Sequence, residues 1–260
     1  MRIVLGLEYC GVGFCGWQSQ PQRCGVQDAL EAAVSAIAGA ATAVTAAGRT
    51  DTGVHAAFQV AHFDTDARRP LTAWVRGVNS HLPAGVAVLW AREVGDDFHA
   101  RFAATQRGYR YVLLNHPVRP GINQGLIGWH HRPLDADAMN RAAAHLIGQH
   151  DFSAFRAAEC QARSPVKELR LAQIARRGDY LLCDFQADGF LHHMVRNLMG
   201  CLVQVGAGSR PPEWLGEILQ GRDRTRAAPT FDAAGLYLAH IRYPAHFALP
   251  ESSDRWFFAT

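Results

Sequence analysis

The chain has 260 residues, of which 48% are hydrophobic and 19% charged, a balance that sustains a buried core and excludes a disordered chain. Its uncharged stretch from Ala32 to Gly48 is mostly Ala with Ser, Thr and Gly, too short and too polar for a membrane span, and the apolar start Ile3–Leu7 is too short for a signal segment. The formal net charge is only +3, but it is distributed unevenly along the chain.

In chain order, residues 3–9 (IVLGLEY) read as a strand, and Val26, Leu30, Val34 and Ile37 form the apolar stripe of an amphipathic helix. Short β-prone segments follow near 42–47 and 58–63, then a helix near 71–80 and a strand at 86–94. This β-α-β-β-α-β order is the ferredoxin-like unit. The pattern recurs: RGYRYVLLN (107–115) alternates as a strand, Met139, Ala143 and Leu146 mark a helix, and strands follow near 166–176 and 180–187. A helix from about Phe190 to Val205 carries Leu191, Met194, Val195, Leu198, Leu202 and Val205 on one stripe. A shorter helix begins near Pro211, where proline suits the first turn, and GLYLAHIRY (235–243) closes the half as a strand. The expected fold is α+β: two ferredoxin-like halves, 1–105 and 106–260, packed side by side around a shared mixed, mainly antiparallel sheet with a central basic cleft.

The basic residues are almost all arginine, Lys167 being the only lysine. A GC-rich genome accounts for that total, but not for its distribution. Between Phe98 and Leu134 there is no Asp or Glu, whereas Arg101, Arg107, Arg110, Arg119 and Arg132 all fall there; Gly189–Pro212 is a second acid-free run. Forked guanidinium groups suit phosphate recognition and stacking on bases. Cysteines at 10, 15, 24, 160, 183 and 201 include no C-x-x-C pair and no His/Cys cluster at finger spacing. Neither a structural zinc nor a disulfide framework is indicated, and a reducing, cytoplasmic location is expected.

Three stretches offer chemistry. In AGRTDTGVHA (47–56), Gly48 and Gly53 permit backbone angles closed to other residues, and Arg49 and Asp51 are spaced to project to one side of an extended segment. A guanidinium beside a carboxylate keeps it ionised, as a nucleophile or base must be; equally, the stretch reads as a tight turn in which Asp51 bonds to backbone N–H groups and Arg49 pairs with it. In DDFHARFAATQRGYRY (96–111), Tyr109 and Tyr111 share one strand face and Arg110 the other, an interleaving that serves base stacking, although Tyr111 is better read as core. In GFLHHMVRNLMG (189–200), His192, Arg196 and Gly200 recur at helical spacing beside the apolar stripe. No third ligand comes at usable spacing from His192 and His193, so no metal is expected there.

Taken together, RTDTGVHA at 49–56, GFCGWQSQ at 13–20, FHARFAATQRGYRY at 98–111, HDFSAF at 150–155, FLHHMVRNLMG at 190–200 and GLYL at 235–238 resemble the motifs of the TruA-type tRNA pseudouridine synthases, in the family's order and over nearly the whole chain. The resemblance implies a homodimeric isomerase that converts uridine to pseudouridine at positions 38 to 40 of the tRNA anticodon stem-loop without cofactor, metal or membrane. By that similarity Asp51 is the catalytic carboxylate, and Arg49 helps displace the target nucleotide and orient the aspartate. Tyr109 stacks on the uracil, Arg196 pairs with the aspartate, and Leu236 packs against the base. The chain departs from the family in two places: Tyr9-Cys10-Gly11 stands where Y-D-G is usual, and Gly108 stands where a basic residue often precedes the stacking tyrosine.

The chemistry agrees with these residue types. Breaking the C1′–N1 bond, turning the uracil and rejoining it through C5 involves no redox step and no outside group. One ionised carboxylate either adds to the nucleoside or removes a sugar proton to give a glycal. The base must first leave the stack, which calls for an aromatic or apolar floor and a group to fill the vacancy. A rival reading is a non-catalytic RNA-binding protein built on duplicated ferredoxin-like units; a nucleotide-phosphate enzyme is disfavoured because neither G-x-x-x-x-G-K-[ST] nor G-x-G-x-x-G stands in a suitable strand-to-helix context.

Overall fold

A computed structural model describes residues 1–251. The chain is α+β and mainly antiparallel, as expected, and divides into two compact units: Met1–Gln106 with the segment from Tyr237 on, and Arg107–Leu236. Each is described in turn.

In the first unit, β1 (Arg2–Tyr9) is the central strand, antiparallel to β3 (His55–Asp64) on one side and to β4 (Val86–Val94) on the other. Ile3, Val4, Leu5 and Leu7 are all buried, which explains why this strand reads as an apolar run and not as an alternation. The segment expected at 42–47 contracts to a two-residue β2 (Thr45–Ala46) paired with β3, because alanine offers little side chain to pack on a pleated surface. Strand β10 (Leu236–Arg242) runs parallel beside the start of β3, with Tyr237 opposite His55.

Helix α1 (Val26–Ala38) buries Val26, Leu30 and Val34 as the periodicity requires. Asp28 reaches back to accept the Gly25 N–H at 3.0 Å, and Gly39 ends the helix in the left-handed region at φ 76°. The helix expected at 71–80 is present but partly underwound: a π-helical turn at Ala73–Gly77 precedes α2 (Val78–His81). Asn79 of α2 exchanges two hydrogen bonds with the backbone of Val88, at 2.8 and 2.7 Å, and so fixes the helix to β4.

In the second unit, β5 (Gln106–Asn115), β9 (Tyr180–Ala187), β8 (Val166–Arg177) and β7 (Gly148–Asp151) form an antiparallel ladder. A short β6 (Gly128–His130) lies parallel to β5. The sequence reading did not anticipate β6 or β7. At three and four residues they are too short to show a period. Three helices complete the unit: α3 (Ala136–Ala144), capped by the Asp135 carboxylate, α4 (Met194–Gly206) and α5 (Glu213–Gly221).

Helix α4 starts at Met194 and not at Phe190. His193 adopts φ 62°, a left-handed conformation that a helix interior cannot contain, so His192 lies before the helix and the His192–Arg196–Gly200 stripe is broken. Gly200 has a different use: a β-carbon there would collide with the Pro229 carbonyl. It admits a neighbouring loop of the protein and not a ligand.

One covalent feature runs against the expectation from cysteine spacing. Cys15 and Cys24 are joined by a disulfide with Cα atoms 5.4 Å apart, a separation within the usual range for such a bridge. No C-x-x-C pattern announces it; the chain reverses between the two cysteines, and the Cys15 N–H donates to the Cys24 carbonyl at 2.9 Å.

Candidate active site

The loop carrying Arg49, Thr50 and Asp51 joins β2 to β3 in the first unit. Burial alternates along it: Arg49 is exposed, Thr50 is buried and Asp51 is half-buried. The middle residue anchors the segment. Its hydroxyl lies 2.8 Å from the Tyr9 hydroxyl, and its carbonyl accepts the backbone N–H of Trp17 at 3.0 Å. Gln59, fully buried on β3, donates to the Gly48 carbonyl at 2.8 Å and approaches the Tyr9 hydroxyl at 3.5 Å. Burial pushes the Tyr9 phenol well above its usual value, against the opposing pull of its bonds to Thr50 and Gln59. It is therefore neutral at physiological pH.

Two glycines let the chain close around this anchor. Gly16 sits at φ 91°, and a β-carbon there would come within 2.7 Å of the Thr50 carbonyl oxygen. Gly53 takes φ 78° in the turn in which the Val54 N–H donates to the Asp51 carbonyl at 3.1 Å. Downstream, the buried His55 accepts the Gly11 N–H on Nδ1 at 2.9 Å and stacks on Tyr237 with centroids 4.6 Å apart. The RTD segment is thus held from behind by buried hydrogen bonds while Asp51 stays partly open. The loop backbone turns between Asp51 and Val54.

In the second unit, Tyr109 lies opposite Phe185, Arg110 opposite Asp184 and Tyr111 opposite Cys183. Tyr111 is fully buried and donates its hydroxyl to the Asp232 carbonyl at 2.9 Å; burial, with Asp232 nearby, holds its phenol well above the usual range. It is core. Tyr109 is half-buried, and its ring meets Phe190 edge-to-face at 5.1 Å. The acid-free run is not acid-free in space: both nitrogens of the Arg110 fork bond to Asp184, at 2.7 and 2.9 Å. Arg107, the neighbour of Gly108, donates to the Asp188 carbonyl at 3.1 Å.

Arg196 stands in the first turn of α4, half-buried, and is tied to Phe231 twice: its Nε donates to the Phe231 carbonyl at 2.9 Å, and its own carbonyl accepts the Phe231 N–H at 3.1 Å. Leu236 is buried at the start of β10, its N–H bonded to the Ala233 carbonyl at 2.9 Å. Gly235 before it is crowded by the Val112 carbonyl, which also accounts for that glycine in GLYL. Asn197, which sequence reasoning passed over, is fully buried. Its amide donates to the Phe155 carbonyl at 2.8 Å and accepts from Arg224 at 3.0 Å and Thr230 at 2.7 Å. The signal for it was present, because an asparagine inside an apolar helical stripe needs buried partners.

These features define a chain of the pseudouridine synthase class, and a family model shows it directly: residues 7–103 and 142–244 match the model described as tRNA pseudouridine synthase. The chain belongs to the tRNA pseudouridine synthase family, and is therefore an enzyme of the isomerase type. It is 83% identical over 259 residues to the tRNA pseudouridine synthase A of Thiobacillus denitrificans, covering 100% of both chains. It is 58% identical over 254 residues to that of Dechloromonas aromatica, with 98% and 97% of the two chains covered, and 58% identical over 250 residues to that of Methylobacillus flagellatus, with 96% of each covered. No helix among the described residues is long and apolar enough to cross a membrane.

Proposed function

We propose that this enzyme isomerises uridine to pseudouridine in tRNA, at positions 38 to 40 of the anticodon stem-loop, as a cytoplasmic homodimer that uses Asp51 and needs no cofactor. The half spanning 1–105 supplies the RTD loop, and the half spanning 106–260 completes the binding surface. Asp51 is the carboxylate that acts on the nucleoside. Arg49, exposed beside it, displaces the target nucleotide and orients the carboxylate. Tyr109 stacks on the everted uracil, Leu236 packs against it, and Arg196 pairs with the aspartate.

The observation that carries this reading is the support of the RTD loop. Thr50, Gly48 and the Asp51 carbonyl are all bonded from within the first unit, so Asp51 is positioned by its backbone while remaining half-exposed. A group that must meet a flipped base gains from such preorganisation, because the geometry is established before the substrate arrives. A pure RNA binder gains nothing from a fixed carboxylate facing phosphates. Carbodiimide-dependent primer extension on unmodified tRNA incubated with the enzyme tests the proposal. Stops at 38, 39 and 40 support it, and stops confined to other positions overturn the site assignment.

A further inference from the structure

The disulfide closes a segment that touches the candidate catalytic loop. Between Cys15 and Cys24 the chain runs GWQSQPQR. Its first two residues are buried and its remaining six are exposed. The buried pair is the part that meets the RTD segment. Gly16 lies against the backbone of Thr50, Asp51 and Thr52, Trp17 donates its N–H to the Thr50 carbonyl at 3.0 Å, and the Trp17 ring lies 5.8 Å from Tyr9. The same two residues receive α1: the Val26 N–H donates to the Gly16 carbonyl at 3.1 Å, and the Gln27 N–H to the Trp17 carbonyl at 2.9 Å. The bridge therefore ties both ends of the segment that seats Asp51. The other four cysteines are free thiols, Cys183 and Cys201 buried and Cys10 and Cys160 half-buried.

Both bridged cysteines are half-exposed, beside an outer arm open to solvent, so a small thiol or disulfide reaches them. We infer that Cys15 and Cys24 are a reversible thiol–disulfide modification site, and that the oxidised pair acts as a clasp that orders the RTD loop and raises turnover. The inference rests on the proposed role of Asp51. The oxidant is a low-molecular-weight disulfide of the glutathione class. A thiolate of one cysteine attacks a sulfur of the oxidant and releases one thiolate. The second cysteine then attacks the mixed disulfide, forms the 15–24 bond and releases the other. Two protein thiols lose two electrons and two protons, and the reagent becomes two thiols; excess reduced glutathione reverses the step.

The experiment uses the full chain, equilibrated in oxidised or in reduced glutathione and alkylated to trap its state. Peptide mass mapping reads the 15–24 linkage, hydrogen exchange reads the amides of residues 48–54, and steady-state pseudouridine formation on unmodified tRNA reads kcat and KM. A Cys10→Ser/Cys160→Ser background removes the other accessible thiols, and Cys15→Ser/Cys24→Ser fixes the open state. The expected result is a 15–24 cross-link only in the oxidised sample, with slower exchange at 48–54 and a several-fold higher kcat at unchanged KM. The Cys15→Ser/Cys24→Ser variant is expected to match the reduced rate in both buffers. Absence of the linkage at every glutathione ratio overturns the inference, as do equal exchange and equal kcat in the two states. If pseudouridine forms in neither state, the catalytic reading is what fails, and the linkage and exchange data still decide whether the clasp exists.

Discussion

The rings of Tyr109 and Phe190 meet edge-to-face, centroids 5.1 Å apart and planes at 87°. Phe190 belongs to the segment leading into α4, so the strand that carries Tyr109 meets that segment through an aromatic contact inside the second unit. This contact fixes the orientation of the Tyr109 ring, which the proposed function uses as a stacking platform.

Replacing Tyr109 with leucine separates platform from core. Base–aromatic stacking contributes about 1–3 kcal/mol, so kcat/KM is expected to fall roughly 5- to 150-fold. Loss of the Phe190 contact costs only about 1 kcal/mol of stability. Tyr109→Phe retains both ring contacts and most of the activity. Pseudouridine kinetics beside thermal melts check this: a Tyr109→Leu variant that loses fold and turnover in equal measure places Tyr109 in the core with Tyr111.

Gly16→Ala is expected to be far more costly than a one-methyl change suggests. The residue sits at φ 91°, and the added methyl would reach 2.7 Å from the Thr50 carbonyl, so backbone must move. The stability loss is about 1–3 kcal/mol, with reduced kcat because the displaced backbone is the RTD loop itself. Urea unfolding and turnover read the two effects. An unperturbed variant contradicts the seating of Asp51 described above.

The fold was legible wherever burial imposes a period. Strand β4 occupies the expected residues 86–94, and α1 buries Val26, Leu30 and Val34. Where a local event sets a boundary, the sequence misleads. A non-glycine residue, His193, takes φ 62° and delays α4 by four residues relative to its expected start at Phe190. In the candidate site the proposed catalytic residues Arg49 and Asp51 were visible as charged groups among glycines and small side chains. Their support was not. Tyr9 and Thr50 are 41 residues apart, and Tyr9 and Gln59 are 50 apart, so only the folded sheet brings them together. The Arg110–Asp184 pair was hidden for the same reason, its members lying 74 positions apart.

Asn197→Ala tests the buried polar cluster of the second unit. It strands the Phe155 carbonyl and removes the acceptor for Arg224 and Thr230. Each buried group left unsatisfied costs about 1–3 kcal/mol, so a marked drop in melting temperature is expected. A melting temperature equal to wild type means that these partners find other bonds.

His62 makes stability fall in mild acid. Its Nδ1 accepts the Ala100 N–H at 3.2 Å, and burial, followed by His99 and Arg2, holds its pKa down to about 4 from the ordinary 6.5. The unfolded chain takes a proton near 6.5 and the folded chain does not until about 4. The contribution of His62 is therefore fully present above the upper value and is lost as pH falls through this window. Urea midpoints measured from pH 7 to pH 4 are expected to decline in the wild type and to decline less steeply in His62→Gln. Parallel slopes remove His62 from the account.

The most direct test of the central claim is Asp51→Asn assayed for pseudouridine in unmodified tRNA by carbodiimide-dependent primer extension, with tRNA binding measured on the same preparation. The substitution keeps size and removes the negative charge. The account predicts no modification stops and an affinity close to wild type. Stops at wild-type intensity from the asparagine variant contradict it.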